Sequence, residues 1–201
     1  MKKKEEKDRA IIQAARNAFL QAGVAGARMD MIAKEACVSK ATLYKYYPSK
    51  DELFSHLIHQ MFDQMSKEMQ YSYTKGASVD SMLQNILTRK FELVREPVFM
   101  DLIRILSVEF IKKYNFDAET IKCVSEGHSH FIFWVEQCQQ DGKILKKHSA
   151  EDISLWFHSL LDGMIFWPLV MNLKKIPTEE EQNHYRHIIS QSFLKMFVSA
   201  D

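Results

Sequence analysis

The sequence has little of what bends, cross-links or threads a chain. Six glycines and four prolines punctuate 201 residues, too few for the turn-rich punctuation of an all-β domain. Cysteine occurs three times, as Cys37, Cys123 and Cys138. With an odd count, wide spacing and no CxxC pair, neither a disulfide framework nor a zinc site is expected, and the thiols are expected to be packed. No run of 18 apolar residues occurs, and the lysines near the start have no uninterrupted apolar stretch behind them. This predicts no membrane span and no secretory signal, with the cytoplasm as the default location. HExxH, GxSxG and glycine-rich phosphate loops are absent, and the pairs His56/His59, His128/His130 and His184/His187 lack a third ligand at a diagnostic spacing. An enzyme, a cofactor and a bound metal are therefore not expected.

What is present is helix-forming and unevenly charged. Apolar residues recur at three- and four-residue spacing, which predicts an all-α fold of about nine helices. Ser49 with Glu52, Ser149 with Asp152 and Thr178 with Glu181 place a hydroxyl cap three residues before an acid, marking three helix starts. Pro97 suits a first helical turn and Asp117 a cap, while the stretch from Lys75 to Ser78 reads as a loop. Residues 1–50 carry eleven Lys and Arg against five Asp and Glu, whereas residues 51–201 carry sixteen against twenty-one. One end is suited to a polyanion and the remainder to another task, so the expected division is a DNA-binding domain over 1–50 and a second domain over 51–201.

The basic end contains two short predicted helices joined by a tight turn, one near Asp30 to Ala36 and one capped by Ser39 and ending before Pro48. Ala33 is small where they cross, and Val38 and Leu43 fill the space between them, the pattern of a helix-turn-helix. With Leu43 inward, helical spacing turns Lys40, Ala41 and Tyr44 outward as candidate base contacts. Arg28, Ser39, Thr42, Lys45, Tyr46 and Lys50 flank that face as candidate phosphate contacts. Tyr47, beside Pro48, reads as a packed hinge.

The run MDMIAKEACVSKATLYKYYPSKDELF resembles the DNA-binding domain of the TetR/AcrR family of bacterial transcriptional regulators, with the likeness extending over roughly residues 8–60. The resemblance implies a homodimer whose two helix-turn-helix units read a palindromic operator on double-stranded DNA, usually as a repressor released by a small molecule. Cys37 stands where the family's turn commonly has glycine, so a positive φ there would add strain of roughly 1 kcal/mol. Arg28 replaces the common Ser or Thr cap and cannot accept a hydrogen bond from the helix that follows.

Residues 51–201 must then supply pairing and sensing. The last helices carry two wide apolar bands, with Trp156, Leu160, Met164, Trp167, Ile189, Phe193 and Met196 as candidate dimer contacts. The middle helices are rich in methionine and aromatic residues. Phe62, Met65, Met69, Leu87, Phe91, Met100, Ile103, Phe110 and Trp134, with Arg104 and His130 as polar members, are candidates to line a pocket for an apolar or aromatic effector. Glu109, His158 and Asp162 are further polar groups near these faces. The alternative is a DNA-bound protein of the same fold that recruits a partner protein and takes no small molecule.

Overall fold

The computed structural model describes residues 2–68, 71–112, 118, 122 and 128–198. Within them every regular element is helical, and nine helices are found: α1 (Lys2–Gly26), α2 (Met29–Glu35), α3 (Lys40–Tyr46), α4 (Lys50–Glu68), α5 (Val79–Arg95), α6 (Pro97–Ile111), α7 (Ser129–Gln140), α8 and α9 (Glu179–Phe197). Helix α8 is continuous over Ala150–Val170, with a π-helical turn at Asp162–Phe166 in its path. The expected caps form. Ser49 and Ser149 accept from the amides of Glu52 and Asp152. Thr178 and Glu181 make both bonds of a capping box. Asp117 and Cys123 lie outside the described residues. Two Asp-Gly pairs serve helices: Asp141-Gly142 ends α7 with Gly142 at φ 71°, and Asp162-Gly163 opens the π turn.

The chain forms two compact units, residues 1–64 with 97–124, and residues 65–96 with 125–201. This division differs from a single boundary after residue 50, because α4 continues without a break from Lys50 and because α6 packs on α1. In the first unit α1 buries Ile11, Ala15 and Phe19, and Phe54 of α4 meets the Phe19 ring edge-on at 5.7 Å. The regular helix of α1 stops at Gly23, as its glycine suggests: the backbone there is non-helical, at φ 68° and ψ 171°, and a short further turn runs on to Gly26 beyond this kink. The bend exposes the Val24 amide to a carboxylate of α6, and that N–H donates to Glu109 Oε1 at 3.0 Å. Glu109 is only 1% exposed, with Lys112 Nζ 3.7 Å from the same oxygen.

The second unit is an aromatic core. Phe131 of α7 stacks on Phe157 of α8 at 4.2 Å and meets Trp134 at 5.2 Å, while Phe193 of α9 meets Phe157 edge-on at 6.2 Å. This corrects two expectations. Ile189 and Phe193 are wholly buried within their own chain and cannot serve as dimer contacts, because the α9 band they belong to faces α5 and α8. Trp156, Leu160 and Met164 are half-buried, and Trp167 and Met196 are exposed, together with Leu155, Met171 and Leu173.

The Ala150–Val170 stretch is long and apolar enough to cross a bilayer, with a mean hydropathy of 1.3. Ile153, Phe157, Leu161 and Ile165 are buried along it, which gives the helix the same composition as a core element.

Candidate nucleic-acid interface

The recognition element is built from three short pieces, each held by a local device. Helix α2 starts at Met29 after Arg28, whose side chain makes no cap bond, as its chemistry dictates. Ile32 and Ala33 are buried and the chain turns at Cys37, where φ is 54°. Val38 N donates to Ala33 O at 3.0 Å across the turn. Ser39 then caps α3, accepting from the Thr42 amide at 3.1 Å and sharing a 2.8 Å hydrogen bond with the Thr42 hydroxyl.

Along α3 the expected division of faces is present. Leu43 is completely buried, while Lys40, Ala41, Tyr44 and Lys45 are exposed. Lys40 Nζ sits 2.8 Å from Asp30 Oδ1, with both side chains more than half exposed. The hydrogen bond to Asp30 raises the lysine pKa and lowers that of the acid. An exposed pair of this kind is held weakly, so Lys40 can exchange Asp30 for an acceptor on a base edge. Tyr44 keeps 40% of its surface open. Arg28 is also exposed, beside this face in sequence.

Three aromatic and basic side chains, two at the far end of α3 and one at the start of α4, are committed inward. The Tyr46 hydroxyl donates to Lys4 O at 3.2 Å and that of Tyr47 to Asp8 Oδ1 at 2.8 Å, tying α3 to the start of α1. Tyr47 is the packed hinge expected, its ring 5.3 Å from that of His56, and burial together with Asp8 pushes its phenol pKa up. Lys50 donates to Ala25 O at 2.8 Å and Ala27 O at 3.0 Å, so two of its three protons satisfy carbonyls at the α1–α2 junction. Sequence spacing gave no sign of either task, because both partners lie more than twenty residues away.

Cys37 is exposed, contrary to the expectation of a packed thiol, and occupies the left-handed region. Cys138 is buried, and burial pushes its thiol up to about 12. Replacing Cys37 with glycine removes the Cβ from a strained backbone. The expected result is a stabilisation of about 0.5–1 kcal/mol in urea titration, with DNA preference unchanged.

The effector candidates are divided between the units. Phe62 and Met100 are buried in the first, where Ile103 is half-buried, Phe110 is 42% exposed, and Arg104 lies 3.6 Å from Asp101. Leu87, Phe91 and Trp134 are buried in the second and His130 is half-buried. The side chains of Met65 and Met69 lie outside the described residues. An open cleft of about 550 Å³ beside α5 is lined by Arg89, Glu92, Leu93 and Glu96, none of them among those candidates.

An N-terminal helix-turn-helix with a polar outward face, followed by an all-helical remainder, defines a DNA-binding regulator. Residues 11–57 match the family model described as bacterial regulatory proteins, tetR family, and residues 81–199 match the AefR-like transcriptional repressor, C-terminal domain. The chain belongs to the TetR family of transcriptional regulators.

Among curated proteins, it is 42% identical over 57 residues to the regulator RutR of Escherichia coli K12, covering 28% of this chain and 27% of RutR. It is 44% identical over 50 residues to the repressor SCO4008 of Streptomyces coelicolor, 25% of this chain and 26% of that one. To the regulator YuxN of Bacillus subtilis it is 32% identical over 92 residues, 46% and 32%. The matches thus span a third or less of these relatives' length. Among solved structures, a TetR-family regulator from Pseudomonas syringae superposes with a TM-score of 0.78 at 26% identity, covering 97% of this chain and 98% of that one. The flavonoid-responsive regulator FrrA superposes at 0.74 with 23% identity, covering 98% and 99%.

Proposed function

We propose that this chain is a cytoplasmic homodimeric repressor that reads a palindromic operator with α3 and releases it when a small molecule binds the second unit. The observation that carries the DNA reading is the split of α3: Leu43 wholly buried, with Lys40, Ala41 and Tyr44 exposed together at its N-terminal and central turns. Lysine can donate to guanine, the alanine methyl can touch thymine, and Tyr44 can use ring or hydroxyl on a neighbouring base or phosphate. Arg28, Lys45 and the Ser39–Thr42 cap supply positioning contacts to phosphates. The exposed side chains of α8 and α9, Trp167 and Met196 with half-buried Trp156, Leu160 and Met164, are the surface for pairing with a second copy. The release step has support in likeness alone, since FrrA is described as flavonoid-responsive.

Selection of the purified protein against a random DNA pool tests this reading. The expected result is an enriched palindrome with half-sites about one helical turn apart, ~34–36 Å. Tyr44→Ala is expected to remain folded and to lose ~1–3 kcal/mol of discrimination at one position per half-site. Absence of a motif, with binding abolished at moderate salt, would leave only non-specific attraction by the basic end and turn attention to a partner-recruiting role.

A further inference from the structure

Within the second unit, five polar side chains gather where the core is otherwise aromatic. Lys90 of α5 reaches His158 of α8, Nζ to Nε2 at 3.3 Å. The other imidazole nitrogen of His158, Nδ1, lies 2.9 Å from the Ser154 carbonyl and 3.3 Å from its hydroxyl. Donation from Nδ1 to that carbonyl fixes the tautomer, leaving Nε2 as the acceptor for the lysine. The His128 ring, at the start of α7, stacks on His158 at 3.7 Å with 11° between planes. Asp162, one turn beyond His158, opens the π-helical turn and interacts with Lys90 electrostatically. Phe131 and Phe157 stand edge-on to His158, at 5.3 and 5.2 Å.

The donor count is out of balance. Among the described residues the Lys90 ammonium has one hydrogen-bond partner, a neutral imidazole nitrogen, and no carboxylate within ion-pair distance. Lys90 is half-buried and His128 beside it is exposed, so its two remaining protons are open to an arriving acceptor. In the same aromatic cluster the Trp134 indole N–H is buried without an acceptor, its ring 5.2 Å from Phe131. A half-buried cation with unengaged donors beside aromatic rings suits an acceptor-only group. The π turn at Asp162 adds an independent indication, since such turns inside long helices are frequent at functional sites.

We infer that Lys90, with His158 and His128 beside it, holds the carboxylate of an aromatic monoanionic effector. The inference rests on the reading of the chain as a ligand-released regulator and gives that ligand a chemical class. A monoanion fits better than a phosphate or a dicarboxylate because, among the described residues, Lys90 is the cluster's single cation and Asp162 already opposes part of its charge. An aromatic body fits because the exposed ring of His128, stacked on His158 beside the anchor, offers it a face to stack on. Burial, reinforced by Lys90 and His128, holds the His158 pKa down at about 2, so His158 stays an uncharged acceptor across the working range. Burial lowers the Lys90 pKa to about 8, against the pull of Asp162. An arriving carboxylate would favour the protonated lysine, so binding near pH 8–9 should take up a proton. The titratable groups facing Lys90 are His158 and Asp162, with His128 stacked behind.

The test is calorimetric titration of the full chain without DNA, using benzoate, phenylacetate, indole-3-acetate and 1-naphthoate, each against its primary amide, with inorganic phosphate as a further probe. At least one carboxylate should bind roughly tenfold or more tightly than its amide and than phosphate. Lys90→Met should remove that preference, and Asp162→Asn should strengthen it several-fold. The second variant keeps the test decisive if Lys90→Met folds poorly. If every carboxylate binds no better than its amide, or the preference survives unchanged in both variants, the inference is overturned. Operator binding measured separately keeps the two readings apart. Carboxylate binding by a protein with no operator would sink the regulator reading alone, and operator binding with no carboxylate preference would sink this one alone.

Discussion

Gly23→Ala is expected to lower the free energy of unfolding by about 2–3 kcal/mol, the reverse of the gain of about 1 kcal/mol that the same change gives inside a regular helix. Two causes act together. The backbone at φ 68° and ψ 171° lies in a region that only glycine occupies at small cost. An added Cβ would also stand 3.0 Å from Lys112 Nζ and 3.2 Å from Glu109 Oε1. The lysine end can swing away. The carboxylate cannot do so without releasing the Val24 amide that it holds, leaving a buried donor and a buried acid without their partner. Urea titration with an unchanged slope and a lowered midpoint would show the effect. A raised midpoint would mean that the kink is not maintained in solution.

Lys50→Met is expected to cost about 1.5–3 kcal/mol, the range for hydrogen bonds involving a charged group. Its ammonium satisfies the carbonyls of Ala25, in the last turn of α1, and Ala27, between α1 and α2. Methionine keeps most of the stem and removes both donors. Because two of the three lysine protons are engaged inside the protein, the salt dependence of DNA binding should stay almost unchanged. Lys45→Ala makes the comparison: this lysine is exposed on α3, and its loss should leave stability within about 0.5 kcal/mol while lowering the salt slope by about one unit. If Lys50→Met lowered the slope and spared stability, the lysine would belong with the phosphate contacts after all.

Local features carried into the structure as the sequence implied, and long-range ones did not. Leu43 inward with Lys40, Ala41 and Tyr44 outward follows from helical periodicity around a single apolar position. The caps at Ser49, Ser149 and Thr178 need only three residues of context. By contrast, Glu109 meets Val24 across 85 residues, and Lys90 meets His158 across 68. No periodicity links such pairs, and both groups look like ordinary surface residues on amphipathic helices. The apolar bands of α8 and α9 misled for a related reason. A wide band signals contact on two sides, and spacing does not say which part faces the chain's own core. Ile189 and Phe193 fell on the inner side, Trp167 and Met196 on the outer.

Cys37 offers a use unrelated to its strain. Its thiol is open to solvent in the turn of the recognition element, while that of Cys138 is buried and resists ionisation. With Cys123 changed to serine, a spin label would attach at the turn and leave Cys138 untouched. In a dimer two such labels would ride on the paired DNA-reading heads, so their dipolar coupling would act as a ruler across the operator. Native chemistry has put the reporter atom where a designer of that experiment would have placed it.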